Sequence, residues 1–87
     1  MLVDDVGQLD DGVEAFNRWR GEHPDAPLEL TDADLSGRDL RGVDLTGAKL
    51  TRADMAGSDL SHAILDDASA EDADFTGARM HAASLQR

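Results

Sequence analysis

Three histidines, a glycine-rich stretch ending in lysine and nineteen acidic residues are the parts of this 87-residue sequence whose types could carry chemistry. His62 and His81, with Asp66 and Asp67 close to them, have the side chains of a metal site, and His23 stands apart. No recognised ligand spacing connects them, so no metal ligand is assigned. Gly42-x4-Gly47-Ala48-Lys49 has the outline of a phosphate-binding loop. Its lysine is displaced by one position and no strand-then-helix context surrounds it. Cysteine is absent, which removes thiolate nucleophiles, thiolate metal sites and disulfides. Catalysis needs a nucleophile held by a base, or paired carboxylates in a pocket. Neither pattern is present, and the expectation is a protein that is not an enzyme, with no catalytic residue and no cofactor.

The same residues make sense as parts of a repeat. From Leu28 the chain reads in fives: LELTD, ADLSG, RDLRG, VDLTG, AKLTR, ADMAG, SDLSH, AILDD, ASAED, ADFTG, ARMHA and ASLQR. The central position is Leu in eight of the twelve units and Met55, Met80, Phe75 or Ala70 in the others. The first position is Ala in eight units, the second is Asp in six, and the fourth is Ser or Thr in six. A period of five fits neither a helix of 3.6 residues per turn nor a strand of period two. It fits a chain that turns a corner every five residues, with Gly at the fifth position supplying positive φ for a tight turn. First and third positions then point inward and the other three point to solvent.

Four such sides close a square, which predicts stacking at a spacing of twenty: coil one over 28–47, coil two over 48–67 and coil three over 68–87. The second side reads ADLSG, ADMAG and ADFTG in successive coils. The inward stacks become Leu30/Leu50/Ala70, Leu35/Met55/Phe75, Leu40/Leu60/Met80 and Leu45/Leu65/Leu85. Phe75 and Met80 are expected to fill the space that Ala70 leaves, because cores hold their volume. Three coils filled in this way leave no pocket.

These units resemble the pentapeptide-repeat family, whose motif is A-[D/N]-L-x-x, over about 60 of the 87 residues. The resemblance implies an all-β solenoid, a right-handed quadrilateral β-helix of about three coils, with the central Leu and the small first residue lining its interior. Arg38 and Leu28 are large for the first position, and Leu28 is expected to meet a covering element. Ile64 stands where the family has Asp or Asn, which puts an apolar side chain on the surface. Lys49 and Arg79 replace the same acid elsewhere.

Residues 1–27 lack the repeat and form a separate N-terminal segment, a capping helix and linker, ahead of the 28–87 solenoid. Leu2, Val6, Leu9, Val13, Phe16 and Arg20 recur at spacings of three and four, with Trp19 beside them. That is the pattern of one amphipathic helix. Asp4 and Asp5 suit its start, Arg18 and Arg20 its end, and Gly21 followed by Pro24 and Pro27 should stop it. The stretch from Gly12 to Arg20 resembles leader helices that precede pentapeptide repeats. A solenoid end exposes apolar interior and unpaired backbone, so Val13, Phe16 and Trp19 are expected to lie over coil one. A partner site at Phe16 and Trp19 is the alternative.

Function is then expected at the edges of the repeat. The final unit remains in register with no second covering segment, which leaves Phe75, Met80 and Leu85 at an open end suited to a homodimer, to end-to-end assembly or to a partner protein. Asp34, Asp54 and Asp74 form a ladder, joined by Asp39 and Asp59 on the next side into an anionic wall. These carboxylates either accept backbone N–H bonds at the turns or bind a basic protein surface. The net charge of −11 repels phosphate backbones and anionic lipids, so neither direct nucleic-acid binding nor membrane binding is expected. No apolar run approaches the roughly 20 residues of a membrane span, the N-terminus carries no signal-peptide pattern, and a cytoplasmic location is the expectation. Some members of the resembled family mimic duplex DNA and bind type II topoisomerases such as DNA gyrase. The acidity agrees with that alternative, but three coils at ~4.8 Å give a rod of roughly 14 Å, about four base pairs. A third possibility is an adaptor for a separately encoded effector.

Overall fold

A computed structural model describes Leu9, residues 12–25 and residues 28–86. From residue 28 onward the backbone alternates three extended residues with two turn residues. The turns close by hydrogen bonds from one unit to the next, as where Ala33 N–H donates to the Leu30 carbonyl at 3.0 Å and Ala48 N–H to Leu45 at 3.0 Å. The fifth position has positive φ at every corner described. Gly37, Gly42, Gly47, Gly57 and Gly77 lie between 67° and 74°, and Asp32, Arg52, His62, Asp67, Asp72 and Ala82 between 58° and 64°. A single positive φ at the third residue of a turn is the signature of type II. Glycine suits it without strain; the six other residues hold a conformation that costs about 1–2 kcal/mol apiece.

The sides stack at a spacing of twenty. Parallel bridges join Glu29 to Lys49, Asp34 to Asp54, Asp39 to Asp59 and Asp44 to Ile64, and the same four positions continue to Ser69, Asp74, Arg79 and Ser84. Three hydrogen bonds hold each side to the next coil. Leu30 N–H donates to the Lys49 carbonyl (2.8 Å), Asp32 N–H to Thr51 (2.9 Å), and Lys49 N–H back to Leu28 (2.9 Å), a triplet that recurs around the solenoid. The interior is a column of third-position side chains. Leu30, Leu35, Leu45, Leu50, Met55 and Leu60 are fully buried, with Val43, Ala48, Ala53 and Ala63 packed between them. Burying each Leu contributes about 1.5–3 kcal/mol. Ser58 is also fully buried, and its hydroxyl is satisfied by donating to the Met55 carbonyl at 2.8 Å.

The third coil departs from the expected packing. Phe75 and Met80 are only partly buried, Ala70 is exposed and Leu85 is 61% exposed. The large side chains do not fill the space beside Ala70. Among the described residues they have a coil beneath them and none above, so nothing holds them over the gap.

The N-terminal helix also differs from the sequence pattern. Helix α1 spans Val13–Glu22. Gly12 precedes it at φ 99° and ψ 163°, a conformation open in practice to glycine alone. One helix therefore does not run from Leu2 to Arg20; the apolar spacing crosses a break. Leu9 still reaches the core and is buried, whereas Leu2, Asp4, Asp5 and Val6 lie outside the described residues. Gly21 is inside α1 rather than at its end. The stop is set by Pro24, which disfavours helical backbone at His23. The His23 N–H closes the end on the Trp19 and Arg20 carbonyls at 3.0 and 3.2 Å.

Phe16 of α1 is fully buried in the same cluster as Leu28, Leu30 and Leu45, with Val13 and Trp19 packed against its edge. The polar contacts of α1 fall on the fourth side of coil one and on the Gly42 corner that leads into it. Asn17 Nδ2 donates to the Gly42 carbonyl (2.9 Å), and Asp44 N–H donates to Asn17 Oδ1 (2.9 Å). Arg20 Nη2 donates to the Thr46 carbonyl. Asp44 N–H and the Thr46 carbonyl are groups that a preceding coil would otherwise pair, so the helix side chains stand in for one.

Candidate interaction surface

The stacking triplet leaves the two ends of the solenoid chemically different. On coil three the N–H groups of third and fifth positions, such as Phe75, Gly77 and Met80, have no hydrogen-bond partner among the described residues, and neither have first-position carbonyls such as Ala73 and Ala78. These groups surround a concavity of about 570 Å³ lined chiefly by Leu50, Leu65, Ala70, Phe75, Met80 and Leu85. A second, open depression of about 720 Å³ runs between Val13 of α1 and Asp39, Arg41 and His62. Recesses thus occur where none was expected, one at coil three and one beside α1. Phe75, Met80 and Leu85 are brought together at the first of them; Ile64, 38% exposed, lies on the outer wall between Asp44 and Ser84 and away from it.

Asp34, Asp54 and Asp74 stand in one ladder, with Asp39 over Asp59 on the next side. Each carboxylate turns back onto its own corner. Asp34 Oδ1 accepts from the Ser36 hydroxyl (2.6 Å) and N–H (3.1 Å), Asp54 from Ala56 N–H (3.1 Å), Asp74 from Thr76 N–H (2.9 Å) and Asp59 from Ser61 N–H (3.0 Å). Asp39 is held by the Arg41 guanidinium at 2.8 and 2.9 Å. Hydrogen bonds from the side chain and then the backbone of Ser36, Arg41, Ser61 and Thr76 keep the carboxyls of Asp34, Asp39, Asp59 and Asp74 below the ordinary range. Across coils, Arg52 clamps Asp32 through two bonds of 2.7 and 3.1 Å, which lowers that carboxyl as well. Lys49 lies 4.0 Å from Glu29.

The remaining chemistry-bearing residues do not converge. The His62 and His81 rings meet edge-on with centroids 6.0 Å apart, and no group of three or more potential metal ligands occurs among the described residues. Gly42 and Gly47 are corner residues of the repeat. His23 stacks on Trp19 at 5.2 Å. No described helix is long and apolar enough to cross a membrane.

Asn17 escaped the sequence pattern, and so did the contact that Arg20 makes. Asn17 was silent in a helix of mixed composition, although a mid-helix Asn with poor helix propensity is a cue for a tertiary contact. Arg20 was placed by periodicity and by its charge at the helix end; it is buried, and its Nε has no partner among the described residues.

A comparison with curated proteins returns no match. The family profile of pentapeptide repeats matches residues 29–67 and 53–87, in eight copies. That match spans the stacked part of the chain, including every bridge between residues twenty apart. The chain belongs to the pentapeptide-repeat family, whose repeats imply a right-handed β-helix solenoid.

Proposed function

We propose that this chain is a non-enzymatic protein-interaction module in which three coils over 28–87 form the body, the 1–27 segment caps one end through α1, and coil three is the docking face, in self-association or on a partner protein. Membership of the pentapeptide-repeat family is consistent with such a module. One observation carries the choice of face: an apolar concavity sits inside a ring of backbone groups with no partner among the described residues, and Leu85 is 61% exposed at its rim. Backbone donors and acceptors beside apolar surface are what an added strand edge satisfies. Affinity capture and sedimentation of the wild type beside Leu85→Lys test the reading. Assembly or binding that is lost in the variant is expected; behaviour equal in both would remove this face.

Duplex mimicry directed at a type II topoisomerase is the competing reading, and the net charge of −11 favours it. Against it, the Asp ladder is occupied with its own corners. The longest extent of the molecule, 32 Å, is shorter than one duplex turn of about 34 Å. A supercoiling assay with gyrase decides, since an inhibitor must act at micromolar protein. An adaptor for a separately encoded effector would appear as a specific protein in the same capture.

A further inference from the structure

We infer that the third side of the solenoid, the stack of 38–42, 58–62 and 78–82, is a docking groove for an acidic peptide segment of a partner protein. This groove lies on the flank of the coils and does not depend on the proposed use of coil three as a docking face. Shape supplies the first argument. A depression of about 340 Å³ opens among Arg38, Asp39, Arg41, Asp59 and Arg79, with Gly37 and Gly57 at its corner. A Cβ built on either glycine would meet nothing within 4 Å, so that corner is open to an incoming chain. The depression of about 720 Å³ beside Val13 and His62 is also lined by Asp39 and Arg41. The two recesses therefore meet at that ion pair and run on as one groove, from the first turn of α1 to Arg79.

Charge selects the occupant. Arg38, Arg41 and Arg79 outnumber Asp39 and Asp59 on this side, whereas acids outnumber cations on each of the other three sides and in residues 1–27. The adjoining stack of 33–37, 53–57 and 73–77 carries Asp34, Asp54 and Asp74 and no cation. A chain of net charge −11 repels an acidic partner over most of its surface, so such a partner is directed to the one side of opposite sign. A basic partner would be attracted to every other side and would gain no such selection. The guanidinium groups have capacity for added carboxylates. A guanidinium carries five N–H donors, and Asp39 takes two of those on Arg41, at 2.9 and 2.8 Å. In the column of Arg79, Asp39 and Asp59 accept from the N–H groups of Arg41 and Ser61 at their own corners. An arginine has no acceptor and cannot make that bond, which leaves the exposed Arg79 guanidinium to the groove that it lines. Carboxylates of the segment then pair with Arg38, Arg41 and Arg79, and an apolar residue lies against Val13.

Fluorescence anisotropy with two labelled synthetic peptides, one of alternating Glu and Val and one of alternating Lys and Val, tests the groove. The proteins are the full chain as wild type, Arg79→Asp and Lys49→Asp. Both substitutions change the net charge equally and restore the acid that the repeat carries at that position, but Lys49 lies on another side. The wild type is expected to bind the Glu peptide saturably. Arg79→Asp is expected to weaken that binding about tenfold or more and to strengthen binding of the Lys peptide, a reversal that a misfolded variant cannot produce. Lys49→Asp is expected to change the Glu-peptide affinity less than about twofold, since exposed charges on another side are screened. Absence of saturable Glu-peptide binding up to millimolar protein overturns the inference. Equal weakening by Lys49→Asp and Arg79→Asp also overturns it, because the charge of the whole chain would then decide binding.

Discussion

The two ends of the solenoid are made from the same repeat and finish differently. At the first coil, Phe16 is sealed into the core, and Asn17 and Arg20 take over the Asp44 N–H and the Thr46 carbonyl, which a neighbouring coil would pair. At the third, Phe75 is partly buried and the edge groups are unpaired among the described residues. The lesson is that repeat units alone do not finish a β-helix. The first end draws on side chains from outside the repeat, whereas the edge groups of coil three have no such partners among the described residues.

The sharpest way to break this contrast is to truncate equivalent aromatics. Phe16→Ala should cost about 3–5 kcal/mol, because it empties a sealed site. Phe75→Ala should cost roughly 1 kcal/mol, since its ring already meets solvent. Urea midpoints of the two variants measure the difference, and equal costs would mean the ends are energetically alike. Next in size is Asn17→Leu, which leaves the Gly42 carbonyl and Asp44 N–H without their side-chain partner. A loss of about 2 kcal/mol is expected, accompanied by faster amide exchange at Asp44.

Corners should be insensitive to which end they occupy. Gly57→Ala places a Cβ at φ 70° where nothing lies within 4 Å, so only the backbone conformation resists, at about 1 kcal/mol. Ala82→Gly should return a similar or smaller gain, and thermal unfolding of both variants reports it. Leu85→Lys should leave monomer stability within about 0.5 kcal/mol while abolishing association, a separation visible by comparing denaturation with sedimentation.

The smallest expected effect is that of acid. The folded carboxyls of Asp34, Asp39, Asp59 and Asp74 lie below their unfolded values. Their contribution is therefore present above about pH 4 and is lost as pH falls through the folded values. These residues occur in all three coils, so amide protection, taken relative to the intrinsic exchange rate at each pH, should fall at both ends alike between neutral pH and pH 3. Loss confined to one end would tie the carboxylates to that end.

Much of the solenoid was legible because every unit repeats the same division of labour. The Ala and Leu positions named the interior, and glycine in five units named the corners even where Arg52 or His62 occupies one. The carboxylate ladder was also legible, since a fixed spacing of twenty places like on like. Three things were not. A periodic apolar pattern runs straight through Gly12 because periodicity records faces, not the dihedral that interrupts them. Asn17 acts on backbone groups whose need for a partner arises only once the coil exists. The expected filling around Ala70 rested on constant core volume, and side chains with neighbours on one side settle at the rim.

The stacked turns carry one further consequence. At every corner the peptide N–H of the fifth position points toward the later coil and the fourth-position carbonyl toward the earlier one. Four columns of aligned peptide units therefore add into a macrodipole whose positive pole is at the C-terminal coil, the reverse of the α-helix. The charges suit that field: the Arg20 guanidinium sits on a carbonyl at the negative pole, and Glu71 and Asp72 stand at the corner of the positive one. A chain of net charge −11 thus turns its most electropositive backbone toward coil three.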